Sequence, residues 1–308
     1  MAAFLHGFGM HVPERVVTNA EIGARVGRSA EWIESASGIR ERRWADAGTS
    51  VADMALAAGH DCLRQTGIDA RALGLIIVAS GSARPGFPGP AAEVAARFGL
   101  ENTPALDVPM ASAGSLFGMV MAAQMTAHFG EVLVIGAEKM SAILESGPLD
   151  PNTAILFGDG AGAALVSARP GPWRILDAVL HTDGEFREAL SFDWAGPLRM
   201  NGLPVIMQAT RKLPSAIEEV LARQNVAALD VAMFLLHQAN QNLLARVAKS
   251  LGVPAERVVS TVARYGNTSS ASVLIAAAEW AQRNPSPGHV VFSAFGAGFH
   301  WGALLALG

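Results

Sequence analysis

With 308 residues, 51% of them hydrophobic, and 32 glycines, the chain is long enough for one large or two ordinary α/β domains with a sizeable core. Only 16% of residues are charged and the net charge is −4; no Lys/Arg block exceeds a few residues, which excludes a nucleic-acid groove. The single cysteine, Cys62, excludes an internal disulfide and reads as a reduced core residue, so a cytoplasmic location is expected.

The amino terminus has no basic segment followed by a long apolar one, so no signal peptide is expected. Leu5 to Val12 reads as a strand ending in a Pro turn. Thr18-Asn19 offers an N-cap for a short helix through Arg25, and Ser29 opens another that Gly38 stops. Thr49-Ser50-Val51 caps a longer helix to Thr66. Leu73 to Ser80 is a continuous apolar run, the pattern of a strand buried on both faces. Pro85 to Pro90 is a loop, and Ala91 to Phe98 is a helix closed by Gly99. Ala105 to Gly118 then reads as a short strand, a tight turn at Ser112 and the start of a long apolar helix. Residues 108–130 carry no formal charge, but Pro109, Ser112, Ser115, Gln124, Thr126 and His128 argue for a helix buried on all sides in the fold rather than a membrane span.

The second part of the chain repeats this order. Leu213 to Gln224 echoes the helix ending at Thr66, and Val231 to Leu236 echoes the strand from Leu73. Leu243 to Gly252 echoes Ala91 to Gly99, and the Gly266 to Ser272 turn leads into an apolar helix as Ala111 to Ser115 does. Gly288 to Ser293 echoes Gly130 to Gly136, and Gly302 to Ala306 echoes Gly162 to Val166. Six matching elements predict two similar α/β halves, residues 1–168 and 169–308, divided near Ala168-Arg169-Pro170. Their strand ends face one cleft if a pseudo-two-fold axis relates them, and ligands bind outside the carboxyl ends of such strands.

Three polar positions fall at those ends. Ser112 reads either as a helix cap or as a nucleophile, since helix amino termini hold unpaired N–H groups and favour negative charge. His237 follows a strand directly and reads as structural or as a site residue. Asn267 lies in a Gly-Asn-Thr turn, where Asn either forms the turn or donates to a carbonyl or enolate oxygen. The Gly158 to Ala163 stretch lacks dinucleotide-loop spacing and reads as a glycine-tight turn between strands. The scattered histidines give no metal-ligand spacing, so no metal is expected.

Gly38 to Arg42, Phe157 to Ala163, His237 to Asn240, Tyr265 to Val273 and Phe295 to Gly302 together resemble β-ketoacyl-acyl-carrier-protein synthase III of the thiolase superfamily. The match runs nearly end to end, with the motifs in family order. The resemblance implies a thiolase-like five-layered αβαβα fold and a homodimer. It implies that Ser112 takes the place of a nucleophilic Cys, with His237 and Asn267 as partners. It implies an oxyanion hole from the N–H groups of Ser112 and Ala297. Trp32 matches a residue stacking on the adenine of coenzyme A, and Phe87 one lining the acyl pocket across the dimer interface. Phe157, Asn240, Arg28, Arg246 and Lys249 are further candidate substrate contacts. Ala36 and Asn242 stand where relatives often carry basic residues, and Arg28, Arg246 and Lys249 are the candidates to compensate.

No permanent cofactor is expected; the substrates are an acyl thioester of coenzyme A or of a carrier protein's phosphopantetheine. Acyl carrier protein and acyl-coenzyme A are the expected partners, with no nucleic acid and no membrane. A serine hydroxyl needs a general base, and its ester is a poor acceptor for a carbanion. The sequence therefore favours acyl transfer through Ser112, with His237 taking its proton, over carbon–carbon bond formation from a malonyl thioester. Three other readings fit the same residues: an ordinary condensing enzyme with an engineered Cys→Ser change, a serine hydrolase or thioesterase, and a silent subunit of a condensing complex.

Overall fold

The apolar runs that do not alternate become strands covered on both faces. The computed structural model describes residues 2–84 and 86–308. Pro85, the first residue of the loop expected to reach Pro90, lies outside the described residues. The first half contains β1 (Ala3–His11), α1 (Val51–Thr66), β2 (Leu73–Ala79), α2 (Pro90–Arg97), β3 (Ala105–Val108), α3 (Gly114–Phe129), β4 (Glu131–Glu138) and β5 (Gly160–Ser167). The second contains β6 (Trp173–Thr182), α4 (Gly202–Arg223), β7 (Val231–Leu236), α5 (Gln241–Ser250), α6 (Ser272–Ala281), β8 (His289–Gly296) and β9 (His300–Leu307).

These strands pair in the order β7-β8-β9-β6-β1-β5-β4-β2-β3. The seam is β1 against β6, antiparallel from Ala3–Ile175 to Leu5–Trp173. Outward from it the halves read alike: β1-β5-β4-β2-β3 on one side and β6-β9-β8-β7 on the other. A single parallel bridge from Phe234 to Val258 stands where β3 has its counterpart. In each half the two pairings nearest the seam are antiparallel and those beyond are parallel.

Side-chain alternation explains the layering. Leu75 and Ile77 point into a central core with α3 and α6, while Ile76 and Val78 point into an outer core under α1 and α2. Each buried aliphatic side chain contributes about 1.5–3 kcal/mol. A third core, under α4 and α5, covers the other half. This is the thiolase-like αβαβα arrangement. Thr18, Ser29 and Ser50 cap their helices as read. Cys62 is buried, and burial pushes its thiol above the ordinary range, as fits an inert core residue. Within Gly38 to Arg42, the buried Arg42 donates to Asn19 Oδ1 (2.8 Å) and to the Ile155 carbonyl (2.6 Å). It thereby ties the Trp32-bearing segment to the strip that carries Phe157. Among the described residues, no helix is long and apolar enough to cross a membrane.

Three expectations need correction. Only the first turns of α3 are buried all round; Met121, Gln124 and His128 form one exposed stripe at helical spacing. Helix α4 begins at Gly202, not Leu213, and continues through Pro214, because Val205, Ile206 and Ala209 already pack on the third core. Gly160 to Ala163 are not a turn but the start of β5, preceded by the short helix Pro151–Ala154. Asp159 anchors that junction by accepting the N–H groups of Ala45 and Ser141, each at 2.8 Å.

Candidate active site

Ser112, His237 and Asn267 line one cavity of about 420 Å³, together with Phe157, Asn240 and Ala297. Ser112 follows β3, His237 follows β7, and Asn267 precedes α6. All three are buried, at 7%, 4% and 6% exposure. Two glycines allow the approach. A Cβ on Gly136 would strike the Ser270 carbonyl, so only glycine lets the turn before α6 rest on β4. A Cβ on Gly296 would lie 2.9 Å from both Ser112 Cβ and Ala113 N, so only glycine lets β8 end against the Ser112 turn.

Ser112 is not a cap. Helix α3 starts at Gly114 with Ala113 at the N-cap position and no capping side chain. Ser112 has φ 58°, in the left-handed region that non-glycine residues seldom occupy. Its hydroxyl has no hydrogen-bond partner among the described residues, while its N–H donates to Ser269 Oγ at 2.9 Å. That contact corrects the expected oxyanion hole: the Ser112 N–H is already engaged with a neighbouring hydroxyl. The N–H groups of Ala297 and Gly298 have no partner among the described residues, and both residues line the cavity.

Ser269 leads to a buried acid. Its hydroxyl donates to Glu138 Oε1 at 2.9 Å, and its N–H donates to Asn267 Oδ1 at 2.9 Å. Glu138 also accepts from Ser82 Oγ (2.5 Å), Ser82 N–H (2.9 Å), Gly81 N–H (3.1 Å), Ser80 Oγ (3.2 Å) and Ser270 N–H (3.3 Å). One carboxylate thus joins the loop after β2, the end of β4 and the turn before α6. With Oδ1 occupied, Asn267 Nδ2 has no partner among the described residues and is a donor at the cavity wall.

His237 Nδ1 lies 2.6 Å from Ser272 Oγ, and burial lowers the imidazole pKa to about 4. The ring is therefore neutral at pH 7. An unfolded His titrates near 6.5, so as pH falls the unfolded chain takes up this proton first. The stabilisation is complete above about pH 6.5 and is lost between there and pH 4, on the order of 3 kcal/mol. Comparing His237→Gln with the parent by urea unfolding at pH 7 and about pH 4.5 should show the parent losing more. An equal loss in both proteins would contradict this.

The remaining candidates sit elsewhere. Asn240 caps α5, accepting the Leu243 N–H at 2.8 Å, and lines the cavity. Phe157 is pinned to the site because its neighbours bracket Asn267: Asn267 N–H donates to the Leu156 carbonyl (2.8 Å) and Gly158 N–H to the Asn267 carbonyl (3.1 Å). Trp32, Arg28, Arg246 and Lys249 do not line the cavity. Trp32 is 41% exposed with the Arg28 guanidinium 5.0 Å above its ring, and Arg246 and Lys249 lie on the exposed face of α5. Asn242 Nδ2 donates to the Ala36 carbonyl at 2.9 Å, joining α5 to the Trp32 helix. Phe87 is 99% exposed and outside the cavity of its own chain.

Sequence reasoning missed Glu138, Ser269, Ser272 and the cavity-lining His300. An acid ending an apolar strand was a usable signal for Glu138. The two serines look like ordinary turn and helix-start residues, and nothing in their type separates them. His300 Nδ1 lies 2.9 Å from Thr182 Oγ1. Among the described residues, no group of three His, Cys, Asp or Glu side chains could hold a metal.

The model of 3-oxoacyl-[acyl-carrier-protein] synthase III matches residues 106–184, and that of its C-terminal part matches residues 221–307. The chain is 34% identical to the β-ketoacyl-[acyl-carrier-protein] synthase III of Oleidesulfovibrio alaskensis over 98% of both chains. It is 38% identical to that of Citrobacter koseri over 97% of both. The solved synthase III of Aquifex aeolicus superposes with a TM-score of 0.94 at 33% identity, covering 99% of this chain and 100% of that one. A priming β-ketosynthase from the R1128 polyketide pathway superposes at 0.91 with 29% identity, covering 99% and 96%.

Proposed function

The chain belongs to the 3-oxoacyl-[acyl-carrier-protein] synthase III family, and on that premise we propose that it loads an acyl group from a thioester onto Ser112 and delivers it to a second acceptor in fatty-acid or polyketide-type biosynthesis. One observation carries this reading: the free Ser112 hydroxyl, the unpaired Ala297 N–H, His237 and the free Asn267 amide share a single buried cavity. Its walls, including Met140, Ile143, Phe192 and Leu198, are apolar and suit an acyl chain. Among the described residues, no Lys or Arg lines it. On this reading the phosphates of coenzyme A or phosphopantetheine stay outside it, and Arg28, Arg246 and Lys249 are the cations assigned to them.

In the loading step Ser112 Oγ attacks the thioester carbonyl carbon, the C–S bond breaks, and the thiol departs carrying the Ser112 proton. The Ala297 N–H holds the intermediate oxyanion. In the delivery step a carrier-protein thiol attacks the acyl-serine, and Ser112 regains a proton. The second reading is condensation: a malonyl thioester loses CO2, its carbanion attacks the acyl-serine carbonyl carbon, the ester C–O bond breaks, and the released Ser112 oxygen takes a proton from water. Two polar atoms without a partner among the described residues, His237 Nε2 and Asn267 Nδ2, favour it, because an enolate oxygen needs such donors. The halves 1–168 and 169–308 contribute Ser112 and the His237–Asn267 pair respectively. No resident cofactor takes part. The reading takes the chain as a homodimer that meets acyl carrier protein, with Phe87 assigned to the partner's cavity.

Incubation with acyl-coenzyme A or acyl-carrier protein, with and without a malonyl carrier, tests it by mass spectrometry of the products. Acyl carrier supports transfer, and β-ketoacyl carrier supports condensation. Free acid alone would overturn both in favour of a hydrolase.

A further inference from the structure

We infer that Ser272 is a positioning residue that fixes the tautomer of His237, leaving the proton on Nε2 as a hydrogen-bond donor at the cavity. Ser272 opens α6 and is 1% exposed. Its hydroxyl has two close polar neighbours among the described residues. One is the Gln238 N–H, which donates to it at 3.2 Å; the other is His237 Nδ1, at 2.6 Å. A buried hydroxyl proton needs an acceptor, and a backbone N–H cannot be one. Nδ1 is the acceptor that remains. A proton on Nδ1 would leave the Ser272 hydroxyl receiving two N–H groups with its own proton orphaned, at a cost of about 1–3 kcal/mol. The bond to Nδ1 therefore sets which ring nitrogen carries the proton.

The chemical consequence reverses one expectation from the sequence. An imidazole that already holds its proton on Nε2 cannot take the Ser112 proton there. That proton leaves with the departing thiol. His237 instead acts beside Asn267 Nδ2 as a second N–H donor to a carbonyl or enolate oxygen. The inference concerns the cavity used in the proposed reaction, but the tautomer is read on the protein without substrate, so its failure is distinguishable from failure of that reaction.

Selective 15N-histidine labelling and NMR of the whole protein near pH 7 test the assignment, with His237→Gln identifying the resonance. The expected result is a proton on Nε2 and an unprotonated, hydrogen-bonded Nδ1. A proton on Nδ1 in the parent protein overturns the inference. In Ser272→Ala the ring should become a mixture of tautomers. The rate of the delivery step should fall about tenfold, as for lost outer partners of working imidazoles, with KM unchanged. Ser272→Thr, which keeps the hydroxyl, should restore both. A Ser272→Ala protein with the parent tautomer would equally overturn it.

Discussion

Glu138→Ala is expected to destabilise the protein by about 3–5 kcal/mol and to abolish loading of Ser112. The carboxylate is fully buried and accepts from three hydroxyls and three backbone N–H groups, with no cation among them. Alanine would leave those donors without an acceptor. Each buried orphan costs about 1–3 kcal/mol, and partial relaxation and water entry keep the total below the simple sum. Ser269 would also lose the acceptor that orients its hydroxyl, and with it the hold on the Ser112 N–H. Glu138→Gln should fall between, because its amide offers one acceptor oxygen but presents an NH2 to a cluster of donors. Urea unfolding and acyl-adduct formation check both effects. A Glu138→Ala protein with the parent's midpoint and full loading would show that the cluster is incidental.

His237→Ala should leave loading of Ser112 intact while slowing delivery of the acyl group by about 10²–10³-fold, as for loss of a single transition-state donor. Asn267→Ala should behave alike, though more of its effect will be on stability, because Asn267 Oδ1 also holds the Ser269 N–H. Rapid-quench mass spectrometry separates the two steps. Loss of loading in His237→Ala would restore the general-base role and contradict the donor assignment. Because the imidazole is neutral well below pH 7, neither step should show a titration near pH 6.5 attributable to His237.

Much of the architecture was visible in the chain because its signals are local. Continuous apolar runs such as Leu73 to Ala79 have no polar face, so they must be strands covered on both sides. Helix caps such as Ser50 and stops such as Gly38 are read from two or three adjacent residues. The repeat carried the topology, since matching elements in matching order gave the same strand order on each side of the seam. The amino-terminal part of helix α4 is not evident from the chain, and tertiary packing carries the helix from Gly202 through Pro214.

Ser112 and His237 come after strands and Asn267 lies in a Gly-Asn-Thr turn before a helix, and these local signals are why the three can be named from the chain. What surrounds them cannot. Whether the Ser112 N–H is free depends on Ser269, 157 residues away in sequence. Which nitrogen of His237 carries the proton depends on a serine 35 residues away. Hydrogen-bond accounting of this kind needs coordinates, because a serine that holds a catalytic imidazole and one that begins a helix are the same residue type. The rim is a different case. Trp32, Arg28, Arg246 and Lys249 are named by resemblance alone, and they lie outside the cavity with their side chains turned to solvent.

The central claim is that Ser112 itself carries the acyl group. Intact-protein and peptide mass spectrometry after exposure to a panel of acyl thioesters tests it most directly. The mass of one acyl group should appear on the peptide containing Ser112, disappear in Ser112→Ala, and be discharged by an acceptor thiol or malonyl carrier. An adduct that persists in Ser112→Ala, or turnover to product with Ser112 never acylated, would contradict the account.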